Sequence, residues 1–198
     1  MNTKELESYW SERYKGGKTG WDIGHPSTPI KQYVDQLVNK DIKILIPGAG
    51  NAYEAEYLHK EGFKNVYVLD ISKLPLDALS KRVPTFSKAH LLKENFFEHS
   101  GQYDLIIEQT FFCSIMPTLE NRSNYAAQMS NLLKLGGKLV GLWFKHTLDR
   151  AGGRPFGGTR EEYLSYLTPH LKMETFGDCY NSIRPRAGNE LFGIFVKQ

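Results

Sequence analysis

The sequence predicts an α/β fold built on a mostly parallel sheet, and three observations carry that reading. Short apolar, β-branched runs alternate along the chain with stretches of helical spacing. The run IKILI (42–46) is followed by Gly48 and Gly50 and then by a helical stretch, the way a strand turns into a helix at the top of a parallel sheet. Two consecutive strand patterns, near 171–180 and 190–196, come last. They imply a hairpin and one antiparallel edge.

The elements follow in order. Residues 4 to 14 read as a helix that stops at the glycine-rich turn KGGKTGWD. IKILI is a buried strand. Asn51 reads as the N-cap of the next helix, with Glu54 three residues later, and Gly62 as its stop. VYVLD (66–70) is a strand ending in an acid, followed by a helix near 75–82 and a short strand near 90–92. YDLIIE (103–108) is another buried strand with an acidic end. Leu119, Tyr125, Ala126, Met129, Leu132 and Leu133 fall at helical spacing over 119–133, and Gly136-Gly137 reads as the end of that helix. KLVGLWF (138–144) is a further strand. Thr159 and Glu162 suggest a capping box that opens a helix over 159–167.

Composition narrows the function. At 198 residues, 40% hydrophobic and 24% charged, the chain suits one soluble domain with a substantial core. A net charge of +3 without like-charge runs argues against nucleic acid. No apolar run approaches the ~20 residues that span a bilayer, and MNTKELESYW has no apolar signal core. Cys113 and Cys179 lack metal or disulfide spacing, so no metal is expected. Both read as reduced thiols of a cytoplasmic protein.

The glycine turn decides among nucleotides. The dinucleotide pattern G-x-G-x-x-G needs glycine at 53, where Tyr53 stands. A tyrosine ring there opposes close approach of a pyrophosphate, which disfavours a nicotinamide oxidoreductase. No phosphate-binding G-x-x-x-x-G-K-[ST] occurs. Asp70, about 20 residues on, is placed to accept two hydrogen bonds from ribose hydroxyls. A nucleoside without a diphosphate fits, and S-adenosylmethionine is one. A module that senses this molecule without turnover is the alternative to an enzyme.

The quoted motifs extend over nearly the whole chain: WSERY and GKTGWD, LIPGAGN, VLDIS, KENFF, IIEQTFFCSI, LLKLGGKL, AGGRPF and RAGNELFG. In this order they resemble the thiopurine S-methyltransferase family, and within it the thiol and halide methyltransferase branch. The resemblance implies a Rossmann-like, seven-stranded sheet, mostly parallel with its last strand antiparallel, and helices on both faces. It implies one S-adenosylmethionine-dependent domain over 1–198 with an N-terminal lid of about residues 1–30. Trp10, Tyr14 and Trp21 would line the cofactor from the lid. Gly48 and Gly50 would approach its methionine part, and Asp70, with Ile71 beside it, would hold the ribose. Asn95 and Phe96 would flank adenine, and Gln109 would lie near the transferable methyl. Family members often carry Trp at position 14, an acid at 95, and an aromatic or charged residue at 109, so these departures bear on the acceptor.

The acceptor class that follows is a small soft nucleophile: a thiol, hydrosulfide, halide, thiopurine or metalloid species. Phe111, Phe112 and Trp143 are expected as apolar pocket walls. Arg186 reads either as an ion-pair partner of Glu190 that shapes the final hairpin or as a group that reaches the substrate. Cys113 reads as a packed thiol, since no base neighbours it in sequence. His146 and Asp149 read as loop residues. Arg150, Arg154 and Gly152-Gly153 suggest a mobile basic loop suited to covering a site. A monomer or weak homodimer is expected.

Overall fold

Apolar runs in the middle of the chain become the centre of a sheet covered on both sides. The structure is a computed structural model and describes residues 2–145 and 153–198. His146, Asp149, Arg150 and Gly152 lie outside the described residues. The strands are β1 (Ile44–Pro47), β2 (Val66–Asp70), β3 (Leu91–Lys93), β4 (Tyr103–Gln109), β5 (Leu133–Phe144), β6 (Lys172–Asp178) and β7 (Glu190–Val196). They form one seven-stranded sheet in the order β3-β2-β1-β4-β5-β7-β6. The strands from β1 to β5 pair in parallel. β7 runs antiparallel to both β5 and β6. The final hairpin is therefore present, but the reversed strand lies inside the sheet rather than at its edge.

Alternation along the strands divides the core in two. Leu45, Leu69, Ile106, Leu139 and Trp143 face α5 (Leu119–Leu132) and α6 (Arg160–Leu167). Ile44, Ile46, Val68, Ile107 and Leu142 face the other way. There they meet α2 (Thr28–Asp35), α3 (Tyr53–Lys60) and α4 (Lys73–Arg82). With both faces covered, all four residues of β1 are buried. The remaining helix, α1 (Thr3–Lys15), starts with a reciprocal Asn2–Glu5 capping box and buries no residue fully. Among the described residues no helix is long and apolar enough to cross a membrane.

Two local expectations are corrected, and one helix is added. Asn51 is not a helix cap: α3 starts at Tyr53, and the cap position is Ala52 at φ 55° with no side-chain cap. Gly48, Gly50 and Ala52 all take positive φ, so the turn winds further before the helix begins. The Asn51 amide donates to Asp22 instead, and the Glu54 carboxylate accepts from the Ser27 amide at 2.9 Å. Gly136-Gly137 does not end α5, which stops at Leu132 as β5 begins. The pair lies in an irregularity where the register jumps from Tyr103↔Leu133 to Leu105↔Lys138. α2 has no counterpart in the sequence reading, because its buried face is only Pro29, Ile30 and Val34.

Gly141 shows how tightly β4 and β5 meet. A Cβ there would lie 2.4 Å from the Glu108 Cβ and 2.6 Å from its carbonyl oxygen. Gly141→Ala should therefore cost about 1–3 kcal/mol through overpacking. Thermal unfolding should show a midpoint lowered by roughly 2–4 °C per kcal/mol. An unchanged midpoint would mean that the strands part freely here.

Candidate functional site

The topology places one end of the sheet under functional load. β1 leads to β2 on one side, and the chain later returns to its other side through β4. The carboxyl ends of these strands flank the switch point where α/β sheets take ligands. Pro47 ends β1, and Gly48 follows at φ 55°. A Cβ on Gly48 would fall 2.0 Å from the Phe111 ring, so a residue without a side chain is required for that ring to close against the turn.

Asp70 ends β2 and is only 6% exposed. One carboxylate oxygen accepts from the Gly50 amide at 3.3 Å and the other from the Ser72 amide at 2.8 Å. Burial pushes its carboxyl up to about 7, against the downward pull of the Ser72, Gly50 and Ile71 amides. Ser72 also caps α4 and meets the Ser11 hydroxyl at 2.9 Å. The acid thus joins β2, the glycine turn and α4, and Ser72 extends the connection to α1.

An aromatic layer covers this turn. The Trp21 ring lies edge-on to Trp10 at 5.5 Å and to Tyr14 at 5.6 Å. Trp21 Nε1 and the Tyr14 hydroxyl come within 3.4 and 3.6 Å of where a Gly50 Cβ would stand. Burial, with the Asp70 charge next, drives the Tyr14 hydroxyl far above its ordinary pKa, so it stays protonated. Arg13 adds its guanidinium 5.6 Å from the Trp21 ring centre. Arg154 stacks 4.9 Å from Tyr9 and 5.4 Å from Trp10 and donates to the Ser114 carbonyl at 2.6 Å.

The loops after β3 and β4 complete the site. The Asn95 side chain accepts from Phe97 N at 3.1 Å and donates to Thr3 Oγ1 at 3.0 Å. Phe96 is buried against Phe111 at 5.1 Å. Gln109, at the end of β4, accepts from the Ser27 hydroxyl at 2.9 Å. Arg186 donates to the Trp21 carbonyl at 2.8 Å and pairs with Glu190 at 3.3 Å. It therefore binds the N-terminal segment to the final hairpin.

Phe112 and Trp143, expected as pocket walls, are 2% and 1% exposed. Phe112 packs between Tyr125 and Tyr163, and Trp143 among Tyr163, Phe176 and Phe195. They back the site from the core, whereas half-buried Phe111 reaches the glycine turn. Cys113 is buried, donates to the Thr110 carbonyl at 2.8 Å, and has its thiol pushed up by burial, as a packed thiol does. Among the described residues no His, Cys, Asp or Glu cluster could hold a metal.

Sequence reasoning missed three groups. Glu54 is buried, its carboxyl raised by burial and eased by Ser27 and Arg186. Ser27 bridges Glu54 and Gln109. Glu108 is 0% exposed and accepts from Phe111 N at 2.6 Å, Phe112 N at 3.2 Å and the Tyr125 hydroxyl at 2.6 Å. It fixes the loop that carries Phe111, directly after Gln109, and the acid at the end of the YDLIIE run is its sequence signal. A polar groove of about 400 Å³ between α1 and α4 contains none of the aromatic or carboxylate groups that converge on the turn.

A buried acid beside a glycine turn suits ribose hydroxyls, and facing aromatic rings suit a cationic sulfonium. These features fit S-adenosylmethionine, and the chain is an S-adenosylmethionine-dependent methyltransferase. It belongs to the thiopurine S-methyltransferase family, whose model matches residues 6–197. A probable thiol methyltransferase 2 of Arabidopsis thaliana is 33% identical over 195 residues, which is 95% of this chain and 84% of the relative. Among solved structures, a Burkholderia thailandensis 1,6-didemethyltoxoflavin-N1-methyltransferase with bound S-adenosylhomocysteine superposes with a TM-score of 0.78 at 18% identity, covering 98% of this chain and 87% of its own. A TehB-like methyltransferase of Corynebacterium glutamicum gives 0.67 at 17% identity over 98% and 100%.

Glu108 makes stability depend on pH. Its folded pKa of about 7 lies above the ordinary 4.5, so the folded state keeps a proton that the unfolded chain has released. This contribution is full below about pH 4.5 and drains away as pH rises through about 7. Glu108→Gln should flatten the fall in unfolding free energy across that window, read by denaturant titration at several pH values. An undiminished slope would show that Glu108 is not the group responsible.

Proposed function

We propose that this methyltransferase methylates a small thiol. The observation that supports this most is the aromatic layer of Trp10, Tyr14 and Trp21 closed over the glycine turn beside Asp70. In this reading Asp70 receives the ribose hydroxyls, with Ile71 next to it, and Asn95 and Phe96 flank adenine. Gly48 and Gly50 allow the methionine part to approach the backbone. The N-terminal segment acts as a lid, and Trp10, Tyr14 and Trp21 exclude water from the sulfonium. Gln109, oriented by Ser27, stands near the methyl. Phe111 lines the acceptor side with Phe112 and Trp143 behind it, and Arg186 holds the lid to the last hairpin.

S-adenosylmethionine supplies an electrophilic methyl group. The protein's share is placement: aligning nucleophile, methyl and leaving sulfur is worth ~7–11 kcal/mol in favourable cases. A thiol of pKa ~8.5 is already partly thiolate at neutral pH, so a strong base is unnecessary. The buried Cys113, with its raised thiol, is not asked to act. A thiol prefers the apolar wall that Phe111 offers. The Arabidopsis relative bears a thiol methyltransferase name, which supports the same acceptor class over a halide.

The direct test is incubation with S-adenosylmethionine and a panel of small thiols and halides, with mass spectrometry as the readout. S-adenosylhomocysteine and the S-methyl product should form in equal amounts. Cofactor binding without product from any thiol, but with product from halide, would contradict the thiol assignment. Asp70 gives a second expectation. Its carboxyl is protonated below about 7, and the ionised form accepts the ribose hydroxyls. Calorimetric affinity for S-adenosylhomocysteine should therefore rise between about pH 6 and about pH 8 and then level off. Asp70→Asn should weaken binding roughly tenfold or more and abolish that rise.

A further inference from the structure

Arg13 is a cation of the site whose buried Nε has no hydrogen-bond partner among the described residues. It lies on α1 between Trp10 and Tyr14 in the WSERY run. Its guanidinium rests between two rings, 5.7 Å from Tyr9 and 5.6 Å from Trp21. Its Nε is shielded from solvent and has no hydrogen-bond partner. No described carboxylate pairs with it, although the neighbouring arginines are all engaged. Arg82 holds Glu56 and the Asn51 carbonyl, Arg154 holds the Ser114 carbonyl, and Arg186 holds Glu190 and the Trp21 carbonyl. Buried polar groups are satisfied as a rule, so an orphaned one calls for a partner.

The acids at the turn repel an anion, and the nearby Arg82 and Arg186 are already paired with Glu56 and Glu190. Asp70 and Glu54 are both buried acids. A ligand carrying a carboxylate must therefore present it away from them. Trp21 touches the glycine turn with its Nε1 edge and meets the Arg13 guanidinium as well, so the two groups share one ring. A guanidinium fork matches a carboxylate with two parallel hydrogen bonds, which a lysine cannot reproduce.

We propose that Arg13 anchors the α-carboxylate of the methionine part of S-adenosylmethionine. This rests on the cofactor placement given under the proposed function and adds the residue that recognises the amino-acid end. Arg13 is a binding residue in this assignment, and the aromatic pair keeps its head group preset before the ligand arrives. The arrangement also gives selectivity: the ligand is preferred over one with the same nucleoside and sulfur but no carboxylate.

The test is isothermal calorimetry on the full chain with two ligands, S-adenosylhomocysteine and its decarboxylated analogue. The wild-type protein should favour the carboxylated ligand by roughly tenfold or more. Arg13→Gln should lose most of that preference, weakening the carboxylated ligand roughly tenfold while leaving the analogue nearly unchanged. Arg13→Lys should restore the preference only in part, and melting curves on both variants check folding. Equal weakening of both ligands would mean that Arg13 merely braces Tyr9 and Trp21, and would overturn the assignment. Unchanged affinity of Arg13→Gln for S-adenosylhomocysteine would overturn it too, with the cofactor placement intact. If the wild-type protein takes up neither ligand, the placement itself fails and the assignment falls with it.

Discussion

The contact between the Asp70 carboxylate and the Gly50 amide is the constraint from which the rest of the site follows. It ties the end of β2 to the turn after β1, and the Ser72 amide on the second oxygen extends the tie to α4. A carboxylate this deeply buried is costly unless donors surround it. Ser72 supplies one from the start of α4, and the turn, winding through positive φ at Gly48 and Gly50, supplies the Gly50 amide. The geometry of the turn and the charge at its edge are therefore one feature. A ligand with hydroxyls to donate can replace water at this acid, whereas a pyrophosphate brings like charge to it.

Around that contact the chain gathers segments from distant parts of the sequence. Ser11 reaches Ser72, Ser27 reaches Gln109 and Glu54, and Arg186 reaches the Trp21 carbonyl. The N-terminal segment is thus held by polar contacts and ring stacking, with little apolar burial: α1 buries no residue fully. Elements held this way open at low free-energy cost, as the lid role proposed for this segment requires. Glu108 does the opposite job. Fully enclosed, it clamps the loop after β4 from below and gives Phe111 and Gln109 a rigid base.

Much of this was legible in the sequence because the relevant physics is local. The runs IKILI, VYVLD and YDLIIE are strands because buried parallel strands need continuous apolar residues. The glycine turn and Asp70 stand in adjacent motifs. What escaped depends on contacts that spacing does not encode. Ser27 and Gln109 are 82 positions apart, and the Glu108–Tyr125 bond joins a strand to a helix face. Trp143 looked like a pocket residue at the end of an apolar strand, yet strand alternation turns it toward Tyr163, Phe176 and Phe195. Asn51 had the composition of a cap, but Ala52 in the left-handed region moved the helix start beyond it. The reversed β7 was foreseen, whereas its insertion between β5 and β6 depends on pairing across the sheet.

The central claim is that a sulfonium nucleoside sits at the ends of β1 and β2 under the aromatic layer. A crystal structure of the complex with S-adenosylhomocysteine tests it most directly. The account predicts both ribose hydroxyls within hydrogen-bond reach of Asp70, with Trp21 and Tyr14 against the amino-acid end. Density for the nucleoside in the polar groove between α1 and α4, with Asp70 untouched, would contradict it.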